Sequence, residues 1–327
     1  MCENKVLREL FESRKRQLVD GELRRVITDY ASCETLVSDL LYHLRLDSEC
    51  PEVTLGHSKR LRAYLCLLFA EERGFDLEIA LPCAVTIELI HNATLIVDDI
   101  QDEDTFRCGR PALWKQTSIA EAMNSAFFLS CMSQAYYCAK VRELGLFDHT
   151  KEIVGYLNAL ISGQQRDLTF DRLPERGIQA YEKMVDGKTG ALISLGCLMG
   201  CCVRSDLEAK DRNLLGSFAV QFSRVHQLQD DLDDLLSLVA DHPKTILIPR
   251  GNIAAYYLSL DTSSRIVPYE DISHVLEFAL SHLETLRSAL QRSLSDIFQR
   301  GLVKSSKLHN LVSVLSARNN HKLETFA

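Results

Sequence analysis

At 327 residues with 46% hydrophobic content, the chain is long enough to bury a large core. Seven prolines and fifteen glycines are few, and no Gly/Ser/Pro-rich linker divides the chain, so a single domain over residues 1–327 is expected. A formal charge of −8 argues against a nucleic-acid partner. Eleven cysteines, an odd number without zinc spacing, read as reduced thiols used as small core residues. Charges alternate from Glu3 to Arg25, which speaks against a secretory signal. The uncharged stretch Thr189 to Val203 has 15 residues, short of the roughly 20 that a membrane span needs. The final Glu-Thr-Phe-Ala carries no prenylation cysteine. A cytoplasmic protein without a membrane span is the expectation.

Nearly every segment repeats at helical period, and no alternating strand is found. Residues 3–19 and 22–46 read as amphipathic helices, with a loop over 47–57. In the next helix Leu61, Leu65, Leu68 and Phe69 form one apolar face, and Gly74 caps the end. Lys59, Arg60 and Arg62 stand at its start, where positive charge opposes the helix dipole unless an anion binds. Pro82 is expected to open a central helix. Along it Ile87, His91, Thr94, Asp98 and Asp102 share one stripe.

After a turn at Gly109-Arg110-Pro111, residues 118–141 form an almost uncharged, hence buried, helix. Residues 150–170 form another, and Gly187-Lys188-Thr189-Gly190 interrupts the helical stretch 178–203. Lys188 and Thr189 between glycines have the composition of a phosphate grip. Residues 206–239 form a long helix, and Pro243-Lys244-Thr245 is expected to start a short one. From Pro268 onward Leu276, Leu283 and Leu290, with Ala279 and Leu286 between, give a near-heptad packing stripe.

The chemistry sits in two acidic sets. Asp98 and Asp102 are four residues apart and leave the same helix face, with Asp99 beside them. Carboxylates crowded in this way repel one another unless a cation sits among them, and a hard divalent ion, Mg²⁺ most naturally, suits oxygen ligands. A second Asp-Asp-x-x-Asp follows at Asp230, Asp231 and Asp234.

Together with Lys59-Arg60-Leu61-Arg62, the run Leu89 to Asp99, the turn Arg107-x-Gly-x-Pro111, Asn124-Ser-Ala126, Lys188-Thr-Gly190 and Gln227-x-x-Asp-Asp231, these sets resemble the trans-isoprenyl diphosphate synthases, particularly the eukaryotic type of geranylgeranyl diphosphate synthase. The resemblance covers roughly residues 56–250. It implies an all-α bundle around a deep central cavity, usually a homodimer, with helices over 268–327 completing it. It also implies three Mg²⁺ held by Asp98, Asp99, Asp102, Asp230, Asp231 and Asp234 on an allylic diphosphate. By the same matching, Arg107, Lys188, Thr189, Gln227 and Lys244 contact the allylic substrate. Lys59, Arg62 and His91 face the second substrate, isopentenyl diphosphate in the ordinary enzymes. Ala93 and Thr94 stand where the family places the floor that limits chain length, and neither is aromatic, so a C15 or C20 donor is expected.

Several positions depart from the family. Cys108 replaces the second arginine of the turn, Trp114 a histidine, and Ser223 and His226 the Gly and Phe leading to Gln227. The loop between Asp234 and Lys244 is short. The altered acceptor half suggests a prenyltransferase that passes its cation to an acceptor other than isopentenyl diphosphate. Enzymes of indole-diterpene pathways, which use indole-3-glycerol phosphate, are the precedent. The alternatives are a chain-elongating geranylgeranyl diphosphate synthase, a class I terpene cyclase and a non-catalytic partner subunit. The last is disfavoured by two complete aspartate sets.

Overall fold

The computed structural model describes residues 14–47, 60–172, 174–239, 244–260 and 265–317. The chain falls into two compact units, Met1–Lys151 with Leu195–Leu207 and Glu152–Ser194 with Glu208–Ala327.

The first unit holds α1 (Arg14–Tyr30), α2 (Glu34–His43), α3 (Leu61–Glu72), α4 (Leu77–Gln101), the ribbon β1 (Phe106–Arg107) and β2 (Arg110–Pro111), α5 (Leu113–Gln116) and α6 (Ile119–Leu144). Helix α4 is its axis and packs on α1, α3 and α6. Asp76 in extended conformation precedes its first turn and Glu78 follows, so the helix begins five residues before Pro82. Pro82, expected at the start, lies inside the helix. By length and composition α4 could cross a bilayer, but 72% of its most apolar window is buried in the protein. Cys66, Cys83, Cys197, Cys201 and Cys202 are buried as expected of small core thiols, whereas Cys33, Cys108, Cys131 and Cys138 are exposed.

Arg60 does not join a surface basic cluster. It takes a left-handed backbone (φ 49°) and turns inward. Its Nε donates to Asp20 at 2.8 Å and its Nη2 to the Leu44 carbonyl at 2.7 Å. Its Nη1 lies 3.5 Å from Glu88, a fully buried carboxylate on α4. This internal pair ties the start of α3 to α4.

The second unit holds most of α7 (Thr150–Leu168), then α8 (Gly177–Lys188), the start of α9 (Gly190–Cys201), α10 (Ala209–Val239), α11 (Ile253–Tyr257), α12 (Tyr269–Gln299) and α13 (Ser306–Ala317). The long pair α10 and α12 form its core, the latter through Ile272, Val275, Ala279, Leu283, Leu286, Leu290, Leu294 and Ile297. Leu276 falls beside this stripe and is half-buried. The short helix expected at Lys244 is instead β3 (Thr245–Leu247), paired antiparallel with β4 (Ile266–Pro268), with Ile246 opposite Val267. Ile246 and Val267 point inward and their neighbours outward, a period of two too short to register in the sequence.

Candidate active site

In the first unit Asp98 and Asp102 lie half-buried near the C-terminal end of α4. Asp99 does not stand with them. One residue turns the helix by about 100°, so its side chain enters the protein, where it is 1% exposed. There Arg107 grips it: Nε donates to Oδ1 at 2.7 Å and to Oδ2 at 2.8 Å, and Nη2 adds a bond to Oδ1. Burial pushes the Asp99 carboxyl up while Arg107 pulls it down. Arg107, expected on the substrate, is thus already paired.

Arg107 belongs to a fixed turn. Cys108 (φ 49°) and Gly109 (φ 78°) both have left-handed backbones, as a two-residue hairpin loop requires. Arg45 donates to the carbonyls of Arg107 and Cys108. Arg110 pairs with Asp47 and covers the Tyr42 ring at 4.1 Å, and the Tyr42 hydroxyl donates to the Pro111 carbonyl at 2.9 Å. Trp114 is spent on the same loop, its Nε1 donating to the Asp104 carbonyl at 2.7 Å.

Arg62 and His91, expected to face the second substrate and 29 residues apart in sequence, meet at 2.9 Å between Nη1 and Nε2. Burial and the guanidinium hold His91 neutral, well below its usual range, so Nε2 accepts from Arg62. Lys59 lies outside the described residues. Ala93 is buried, and the Thr94 hydroxyl is bonded to the His91 carbonyl. Phe127 is 73% exposed on α6. Bulk at Ala93 is expected to shorten the accepted donor: Ala93→Phe should cut kcat/KM for a C20 donor about tenfold more than for a C10 donor. Equal losses for both would remove Ala93 from the tail pocket.

The second unit repeats the pattern. Asp230 is half-buried, Asp234 is exposed, and Asp231 turns inward at 3% exposure. Asp231 Oδ2 accepts from the Tyr181 hydroxyl at 2.9 Å and from the Ile253 N–H at 2.8 Å, and Oδ1 accepts from Gln227 Nε2 at 2.9 Å. Burial pushes its pKa up to about 7, against these three donors. Thr189 donates to Gln227 Oε1 at 2.7 Å, and Lys188 Nζ donates to Asp167 Oδ2 at 2.9 Å. His226 Nδ1 stands 3.4 Å from Asp230 Oδ2. Lys244 is exposed at the start of β3. Sequence reasoning missed Tyr181 and Asp167. Asp167 had a signal in its place one turn after Gly163, and Tyr181 had none.

Oxygen-only ligands on partly open helix faces fit Mg²⁺, which binds through one or two carboxylates and completes its shell with water and substrate phosphates. Among the described residues no three acidic, histidine or cysteine groups converge on one point.

An all-α chain with two Asp-Asp-x-x-Asp helices, a basic hairpin after the first and a Lys-Thr break between helices defines an isoprenoid synthase of the terpenoid type. The same fold occurs in the geranylgeranyl pyrophosphate synthetase of Pyrococcus horikoshii, with a TM-score of 0.70 over 97% of this chain and all of that one, at 21% identity. The family described as polyprenyl synthetase matches residues 46–247, and the chain belongs to it. It is 30% identical over 261 residues to a (2E,6E)-farnesyl diphosphate synthase of Mycobacterium tuberculosis, covering 72% of this chain and 71% of that one. It is 28% identical over 234 residues to a short chain isoprenyl diphosphate synthase of Methanocaldococcus jannaschii, covering 70% and 68%. The chain is a prenyltransferase, and a prenyl diphosphate is its substrate.

Proposed function

We propose that the chain is an Mg²⁺-dependent trans-prenyl diphosphate synthase that lengthens an allylic diphosphate with isopentenyl diphosphate, to a C15 or C20 product. The supporting observation is the Arg62–His91 pair, a cation preset on the acceptor side by a neutral imidazole. Asp98 and Asp102 of the first unit, and Asp230 and Asp234 of the second, would hold Mg²⁺, three ions in all, which would supply positive charge to a departing diphosphate. Arg107 in the first unit, and Lys188 and Lys244 in the second, would add cations to a leaving diphosphate, and Thr189 and Gln227 of the second unit would orient it. Buried Asp99 and Asp231 hold Arg107 and Gln227 in place rather than contributing an open ligand face. His91, being neutral, orients Arg62 without drawing charge from the acceptor. Burial at Ala93 would keep water from the allylic cation.

A second reading rests on Cys108. It is exposed where the synthases carry an arginine, which favours an acceptor with less charge than a diphosphate, such as indole-3-glycerol phosphate. One assay separates the two: an allylic diphosphate with Mg²⁺, alone, with isopentenyl diphosphate, and with indole-3-glycerol phosphate. A product longer by five carbons supports chain elongation. Prenylated indole in its place supports the second reading, and a hydrocarbon from the donor alone indicates a cyclase. Cys108→Arg is expected to raise kcat/KM for isopentenyl diphosphate by about tenfold or more, the value of one charge-assisted contact. No gain would place residue 108 away from the acceptor.

We further propose a homodimer through α6. Ile119, Met123 and Phe127 are 50%, 57% and 73% exposed at steps of four on one face. Phe127→Asp should halve the mass seen in sedimentation velocity, whereas an unchanged dimer would exclude this face.

A further inference from the structure

Three glycines of the second unit mark close backbone approaches around the Lys188–Asp167 pair. A Cβ on Gly163 would stand 2.6 Å from the Gly187 carbonyl carbon and 2.8 Å from its Cα. A Cβ on Gly187 would meet Gly163 Cα at 2.8 Å and the Ala159 carbonyl at 2.9 Å. The backbones of α7 and α8 therefore touch where only glycine fits, at the residue just before Lys188. One turn beyond Gly163 comes Asp167, and its Oδ2 receives Lys188 Nζ at 2.9 Å. From the other side Gly251, in a left-handed turn (φ 69°), lies against the same carboxylate, and a Cβ there would reach both oxygens at 2.9 to 3.0 Å.

Asp167 is 5% exposed, and its Oδ1 makes no hydrogen bond among the described residues. Lys188 is the one ion-pair partner recorded for this carboxylate among them. A buried carboxylate without other compensation binds its countercharge firmly. The lysine stem is flexible, and fixing its head before substrate arrives removes an entropic cost from binding.

We propose that the Gly163–Gly187 crossing and Asp167 form a positioning device that aims Lys188 at the allylic diphosphate. Asp167 is a positioning residue, and the inference rests on the reading of Lys188 as a diphosphate contact.

The test uses the full chain with four variants. Asp167→Asn is isosteric and keeps the fold. It should raise KM for the allylic diphosphate about tenfold while KM for isopentenyl diphosphate stays within about twofold. Gly163→Ala and Gly187→Ala should show the same selective rise. Gly155→Ala, on α7 with open space around it, should change neither. An activity-independent readout follows acetylation of Lys188 by mass spectrometry: slow in wild type and Gly155→Ala, faster in the other three. Unchanged acetylation in Asp167→Asn overturns the device, whether or not the glycine variants fold. An equal rise in both KM values with a lowered Tm reduces these residues to structural ones and also overturns it. Faster acetylation with neither KM moved would show that Asp167 holds Lys188 but refute Lys188 as a diphosphate contact, and with it the aim proposed here.

Discussion

Asp98→Asn and Asp230→Asn are each expected to lower kcat by about a thousandfold, with folding unchanged. Each substitution removes one charge from an open helix face while keeping its volume. The lost neutralisation of a departing diphosphate amounts to several kcal/mol, and 1.36 kcal/mol is tenfold in rate. Excess chelator should abolish turnover, and added Mg²⁺ should restore it. Asp99→Asn and Asp231→Asn should behave differently, because these carboxylates are buried and already bonded to Arg107 and to Tyr181, Gln227 and Ile253. Their loss should lower stability as well as activity. The check is steady-state kinetics beside thermal unfolding for all four variants. Near-normal turnover in Asp98→Asn, or activity in chelator, would remove the metal-assisted mechanism.

The largest effect on stability is expected at Arg60. Arg60→Met leaves Glu88 fully buried with no arginine beside it, and removes the donors to Asp20 and the Leu44 carbonyl. Breaking a buried ion pair from one side costs about 3–5 kcal/mol. Denaturant unfolding should show a loss of that order. The double variant Arg60→Met with Glu88→Leu should recover most of it, since no buried charge is then left at position 88 and Asp20 keeps Arg16 as a partner. A single-variant loss below about 1 kcal/mol would show that Arg60 adds little to the joint between α3 and α4.

Much of this protein was readable without coordinates. The helical class follows from apolar residues recurring at three and four, and the two acidic helix faces follow from aspartates four apart, because both patterns are local. The basic hairpin was legible as Arg107-x-Gly-x-Pro111, since a tight turn needs glycine at one position. The start of α4 was misplaced at Pro82 although Asp76 and Glu78 carried the capping signal.

Tertiary structure decided what each charge faces. In both aspartate sets the second carboxylate turns inward, and its partners come from distant segments: Arg107 for Asp99, Tyr181 and Ile253 for Asp231. Arg60 read as one of a surface cluster, yet its countercharges Asp20 and Glu88 lie 40 and 28 residues away. Trp114, read only as a replacement for histidine, bonds the loop at Asp104. The ribbon at Thr245–Leu247 exists only because Ile266–Pro268 pairs with it. Periodicity records which side of a helix is apolar, because that is set residue by residue along the chain. It does not record which buried donor meets which acceptor, because that pairing is chosen only when segments far apart in sequence compete for the same desolvated position.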